Sequence, residues 1–261
     1  MTEDEVGRRS PYEVVFSIDG LERAFATIEG EGRTLRADLS RREQFARLAA
    51  VGDLLARLVP GSFETGALDR YLEIVFHGFH FWRAGRPFYA FEEGVVRSLI
   101  ERPPDLSGRT LDLPHPAQYM ELPRNLLWAA VTDGPPEPLE GLFARALDGP
   151  GGTEVLCVLG MWPERPGFSA AGLTFPAGVP LVAGDEAFRS DLPGADLAGL
   201  YSLRSAGEAI ALLARLVWYI EAFPAAVVRV PASRAGQGDQ IRHLTSLEHL
   251  RVRSVEERGA G

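Results

Sequence analysis

Glu73, His77 and His80 are spaced i, i+4 and i+7, which places them on one face if the segment is helical. Asp69 extends the row by one turn. One carboxylate and two imidazoles form a ligand set that zinc accepts, or iron with open positions. The chemistry this implies is metal-assisted hydrolysis or oxygenation with a divalent ion as cofactor. The match is imperfect, because neither H-E-x-x-H nor a repeated Glu-x-x-His is present. The same residues also read as the polar side of an amphipathic helix, turned away from a stripe of Leu68, Val75 and Phe79. That reading needs no cofactor. Gly78, between the histidines, weakens a helix by about 1 kcal/mol against alanine, or else marks a close packing point.

The remaining reactive residues offer less. Cys157 is the one cysteine and sits in the apolar run 155–159, as a buried structural thiol does. It has no second thiol for a disulfide, a four-cysteine zinc site or an iron–sulfur cluster. There is no lysine, so all 27 Lys+Arg residues are arginine. Schiff-base chemistry, a pyridoxal-phosphate anchor and the P-loop lysine are thereby excluded. Gly149–Gly152 is glycine-rich but leads toward a strand, not the helix N-terminus that binds anions. Ser169 is a near miss to the G-x-S-x-G elbow, and a strand-like run follows it where the elbow needs a helix. In the proline-rich stretch 113–123, His115 and Glu121 are candidates for a pocket lining, beside the plainer reading of a stiffened loop. His243 and His249 have the spacing of a zinc-finger histidine half without its cysteines. Met161, Trp162 and Arg165 lie in a turn-like run of the composition found at interface hot spots.

The elements that must carry these residues follow from periodicity. Tyr12, Val14, Phe16 and Ile18 alternate, and Asp19-Gly20 is a hairpin dipeptide. The opening therefore reads as an antiparallel meander with strands to about residue 38. Helices are predicted near 41–58, 66–83, 89–102 and 205–223, the first begun by a capping-box-like Ser40…Glu43. Strands are predicted over 119–122, 126–131, 139–146, 154–161, 168–175 and 227–230. The middle strands follow one another without helices, which favours an antiparallel sheet. The fold class expected is α+β, one domain over 11–235. Residues 1–10 are expected as a flexible tail and 236–261 as a charged tail, which is a closing element if Leu244, Leu247, Leu250 and Val252 pack on the body and a partner-binding arm if they do not.

Composition bounds the function. Hydrophobic residues make up 46% and charged residues 24% of the 261, the proportions of a folded globular protein. A net charge of −9 argues against general nucleic-acid binding, which rests on basic groups. The acidic start carries no signal-peptide pattern, and the most apolar run, 209–228, is interrupted by Arg215, Glu221 and Pro224. Neither a membrane span nor export is expected, and the cytoplasm follows by default. The residues point first to a non-enzymatic binding or accessory protein, without a cofactor, acting through a protein partner or as a homo-oligomer. The alternative is the metal-assisted enzyme of the Glu73 helix face.

Overall fold

A computed structural model of the chain describes residues 10–16, 19–35, 42–58, 67–129, 136–147, 152–159, 169–181, 201–203, 206–231 and 248–255. The first elements among the described residues are helices, Pro11–Phe16 (α1) and Leu21–Leu35 (α2). The N-terminal meander is therefore corrected. The buried apolar side chains include Tyr12 and Val15 in α1 and Leu21, Phe25 and Ile28 in α2. That is helical spacing. Over half a dozen residues the two periods share several positions, and the surface packed against the segment decides between them. Asp19-Gly20 does turn the chain. Gly20 has φ 74°, and its carbonyl accepts the Ala24 N–H at 3.0 Å to open α2.

The helix predicted over 41–58 is two, Arg42–Ala46 (α3) and Ala49–Leu58 (α4). Ala67–Arg83 (α5) follows near its predicted limits. Gly78 is the close packing point on α5: a Cβ there would stand 3.0 Å from Val15 Cγ1 of α1. The helix ends in a Schellman turn. The Arg86 N–H reaches the Phe81 carbonyl at 3.0 Å, Gly85 takes φ 84°, and Pro87 forbids continuation. The helix expected from 89 is preceded by a strand, Phe88–Phe91 (β1), and runs only over Glu93–Glu101 (α6).

The later strands are Ala117–Glu121 (β2), Leu127–Ala129 (β3), Glu137–Leu147 (β4), Gly152–Leu159 (β5), Ser169–Phe175 (β6) and Tyr201–Leu203 (β7). Ala206–Ala222 (α7) then leads through a short 3-10 turn to Val227–Val230 (β8), and His249–Val252 (β9) is the last. The described strands form one nine-stranded sheet in the order β6-β5-β4-β2-β1-β9-β8, with β3 and β7 attached at β4. It is mixed, not purely antiparallel: β1 runs parallel to β2 and to β9, and β3 parallel to β7. The cause is connection. The link from β1 to β2 passes through α6, and such a crossover returns the chain parallel. β9 arrives from far along the chain to take β1's other edge. Within 236–261, the described residues 249–252 pack on the body: Val252 is fully buried and His249 is 6% exposed.

Helices cover both faces. Phe88, Tyr119, Phe143 and Leu156 point toward α1–α5, while Met120, Leu142, Val155 and Cys157 point toward α6 and α7. With both faces covered, every residue of β2 is buried. Among the described residues, no helix is long and apolar enough to cross a membrane.

Candidate functional site

α5 turns His77 inward, onto the sheet. Its Nε2 lies 4.0 Å from Glu73 Oε2 and 4.0 Å from Glu154 Oε2 on β5. Glu154 accepts from Arg145 Nε at 2.6 Å, its register partner on β4, and the Arg145 guanidinium lies 4.8 Å above the Phe76 ring. The His80 ring packs on Phe76 and Phe79 at 4.7 and 5.4 Å. Among the described residues no group of three or more His, Cys, Asp or Glu side chains is placed to hold a metal ion. Within the proposed set of Glu73, His77 and His80, the approach of Glu73 to His77 is 4.0 Å. α5 is buried all round from Ile74 to Phe79, so His77 meets the sheet's charged pair instead of a shared open face. The arrangement fastens α5 to β4 and β5.

Glu121 is likewise engaged inside the fold, where it accepts the Tyr119 hydroxyl. Burial, and then the Glu121 charge, push the Tyr119 phenol well above the ordinary tyrosine range. Gly141 on β4 makes room for this ring, since a Cβ there would stand 2.8 Å from Tyr119 Cζ. Burial pushes the Cys157 thiol up to about 12, which leaves almost no thiolate near neutrality.

The open site lies at the head of β1. Phe88 pairs with Tyr119 and Tyr89 with Leu250, so Ala117 and Gln118 of β2 extend past β1's first residue. There the chain enters the sheet from α5 through Ala84–Pro87. The gap is a cleft of about 590 Å³, lined by that turn with Tyr12, Phe88, His115, Arg229 and Glu248–Leu250. The volume is in the range of small-ligand and peptide-side-chain sites.

Its polar groups are preset. Arg86 takes φ 60°, a left-handed conformation that costs a non-glycine residue about 1–2 kcal/mol. Its Nη2 donates to Glu22 Oε1 at 2.6 Å, and its guanidinium sits 5.6 Å above Phe16. Arg229 Nε donates to Glu248 Oε1 at 2.6 Å. The two carboxylates are 70% and 52% exposed at the side chain. Ion pairs so exposed are worth about 0–1 kcal/mol, so an incoming carboxylate can replace either at little cost. His115 Nε2 lies 2.9 Å from the Tyr89 hydroxyl. Burial lowers its pKa below the usual imidazole value, leaving a neutral ring with one donor and one acceptor at pH 7. Tyr12 stacks on Phe88 at 4.8 Å, and His249 lies 5.7 Å from Phe88; together they make an aromatic floor.

Of the sequence candidates, His115 lines this cleft and Glu121 does not. Met161, Trp162 and Arg165 lie outside the described residues. Arg86, Arg229 and Glu248 were missed, and His249 was weighed only with His243, which lies outside the described residues. Gly85-Arg86-Pro87 is legible only as a helix stop, and 249–252 read as part of a charged tail.

No family model matches the chain, and no curated protein matches it. Among solved structures it is similar to the crystal structure of AcrVA2, with 10% identity and a TM-score of 0.36 over 66% of this chain and 59% of that one. The chain thus spans less than two thirds of that structure. A likeness at this level carries no argument about function.

Proposed function

We propose that the protein is a non-enzymatic binding protein of the cytosol that works through a protein interface. The cleft at the head of β1 is its recognition surface, and the partner presents an acidic segment. The observation that carries this reading is that one cleft is lined by Arg86 and Arg229, each paired with an exposed carboxylate, and by the stacked rings of Tyr12 and Phe88. Arginine and aromatic side chains in a concave patch are the groups that dominate protein interfaces. An acidic segment displaces Glu248 or Glu22, keeps each guanidinium paired and lays an apolar side chain on the rings. Four other described groups support the same reading, because Arg145, Glu154 and His77 face each other and Cys157 is held as a thiol.

The test is selection of displayed random peptides on the immobilised full chain, followed by fluorescence anisotropy of the selected sequences. Enrichment of Asp- and Glu-containing peptides is expected. Their affinity should fall at least about tenfold, 1.4 kcal/mol, in Arg229→Glu and in Arg86→Glu, and should weaken with salt. Selected peptides that bind both variants as well as the parent would overturn the assignment of the cleft. Met161, Trp162 and Arg165 are proposed as a second contact, checked by Trp162→Ala in the same assay.

A further inference from the structure

A second recess lies beyond the opposite face of the sheet, between α7 and the irregular segment 102–116. This segment has no regular element but is pinned. Asp105 Oδ1 accepts the Ser107 N–H at 3.0 Å, and Gly108 turns the chain at φ 77°. Reciprocal backbone bonds join it to Leu181: Gly108 N–H to the Leu181 carbonyl at 3.1 Å, and Leu181 N–H to the Arg109 carbonyl at 2.8 Å. On α7, Ala214, Trp218 and Glu221 are spaced i, i+4 and i+7 and form one flank, and the small Ala214 leaves room beneath the loop. The recess measures about 330 Å³, the lower end of small-molecule sites.

Its lining combines three chemistries. Trp218, Leu111 and Leu181 make a half-buried apolar wall. Arg109 supplies a cation. Asp112 and Glu221 supply carboxylates, and the first is held in place because its Oδ2 accepts the Thr110 hydroxyl at 2.7 Å. A simple anion would meet two carboxylates here, and a simple amine would meet the guanidinium. A zwitterion with an apolar side chain satisfies all three. We propose that this recess binds a free α-amino acid with an aromatic or aliphatic side chain. The carboxylate goes to Arg109 in the planar geometry guanidinium favours, the ammonium goes to Asp112 and Glu221, and the side chain packs on the Trp218 indole. This site is independent of the cleft at the head of β1.

The experiment is isothermal titration of the full chain with L-phenylalanine and L-leucine, beside N-acetyl-L-phenylalanine, which lacks the ammonium, and L-phenylalaninamide, which lacks the carboxylate. Saturable binding of at least one free amino acid is expected, with both blocked compounds at least about tenfold weaker than L-phenylalanine. Arg109→Gln should weaken L-phenylalanine and leave L-phenylalaninamide unchanged. Glu221→Gln should weaken L-phenylalanine and leave the N-acetyl compound unchanged. Arg109 and Glu221 are exposed, so both variants should fold, and both should keep the acidic-peptide binding of the cleft. No binding of either amino acid up to about 10 mM, or equal binding of the blocked compounds, would overturn the proposal.

Discussion

Arg145→Met tests whether the charged group under α5 is structural. The Arg145 side chain is 6% exposed and its partner Glu154 22% exposed. Removing one member of a buried pair costs about 3–5 kcal/mol, mainly by stranding the other charge. Glu154 retains some access to water, which lowers that to about 2–3 kcal/mol. The lost contact of the guanidinium with Phe76 adds about 0.5–1 kcal/mol. The sum expected in urea unfolding is about 3 kcal/mol. Replacing both partners, Arg145→Met with Glu154→Leu, removes the stranded charge and should return most of the loss, to within about 1 kcal/mol of the parent. A single variant that costs under about 1 kcal/mol, or a double variant as unstable as the sum of the two singles, would refute the reasoning.

Other outcomes follow from the same packing. Cys157, with its thiol pushed up to about 12 from 9.0, should carry about a thousandfold less thiolate at pH 8 than an ordinary cysteine; a disulfide reagent should label it only as fast as the fold opens, and prompt labelling of the native protein would contradict this. The Tyr119 phenol is raised in the folded state, so its contribution to stability is complete below pH 10 and is lost as pH rises above it. Tyr119→Phe should flatten the alkaline limb of the stability–pH curve, and an unchanged slope would count against the buried phenol. Gly141→Ala drives a methyl into the Tyr119 ring and should cost about 1–3 kcal/mol in chemical denaturation. Arg86→Gly relieves a left-handed non-glycine residue, so stability should stay level or rise by up to about 1 kcal/mol while acidic-peptide affinity drops; a loss of stability without a loss of binding would place Arg86 in the scaffold alone.

Elements with a long, single period were legible. α5, α7 and the strands β2, β4, β5 and β6 stand near their predicted positions because their apolar patterns run for several turns or pleats. The N-terminal segment failed because Tyr12 to Ile18 satisfies two periods at once, and α5 packing against Val15 and Phe25 settles the choice. Sheet neighbours were not legible. Residues 249–252 read as part of a charged tail, and only long-range pairing makes them a strand beside β1. The candidate site shared that fate. His115 was found because its surroundings are rich in proline, whereas Arg86, Arg229 and Glu248 meet only after β9 enters the sheet. His77 also comes within 4.0 Å of Glu154, which no helical periodicity connects to it.

The most direct test of the cleft as recognition surface is a charge exchange measured by fluorescence anisotropy. A selected acidic peptide is titrated against the parent and Arg229→Glu, and then its Glu→Arg counterpart against both. Recognition through Arg229 predicts that the parent binds only the acidic peptide and that Arg229→Glu recovers affinity for the basic one. If neither peptide distinguishes the two proteins, the cleft at the head of β1 is not where the partner binds.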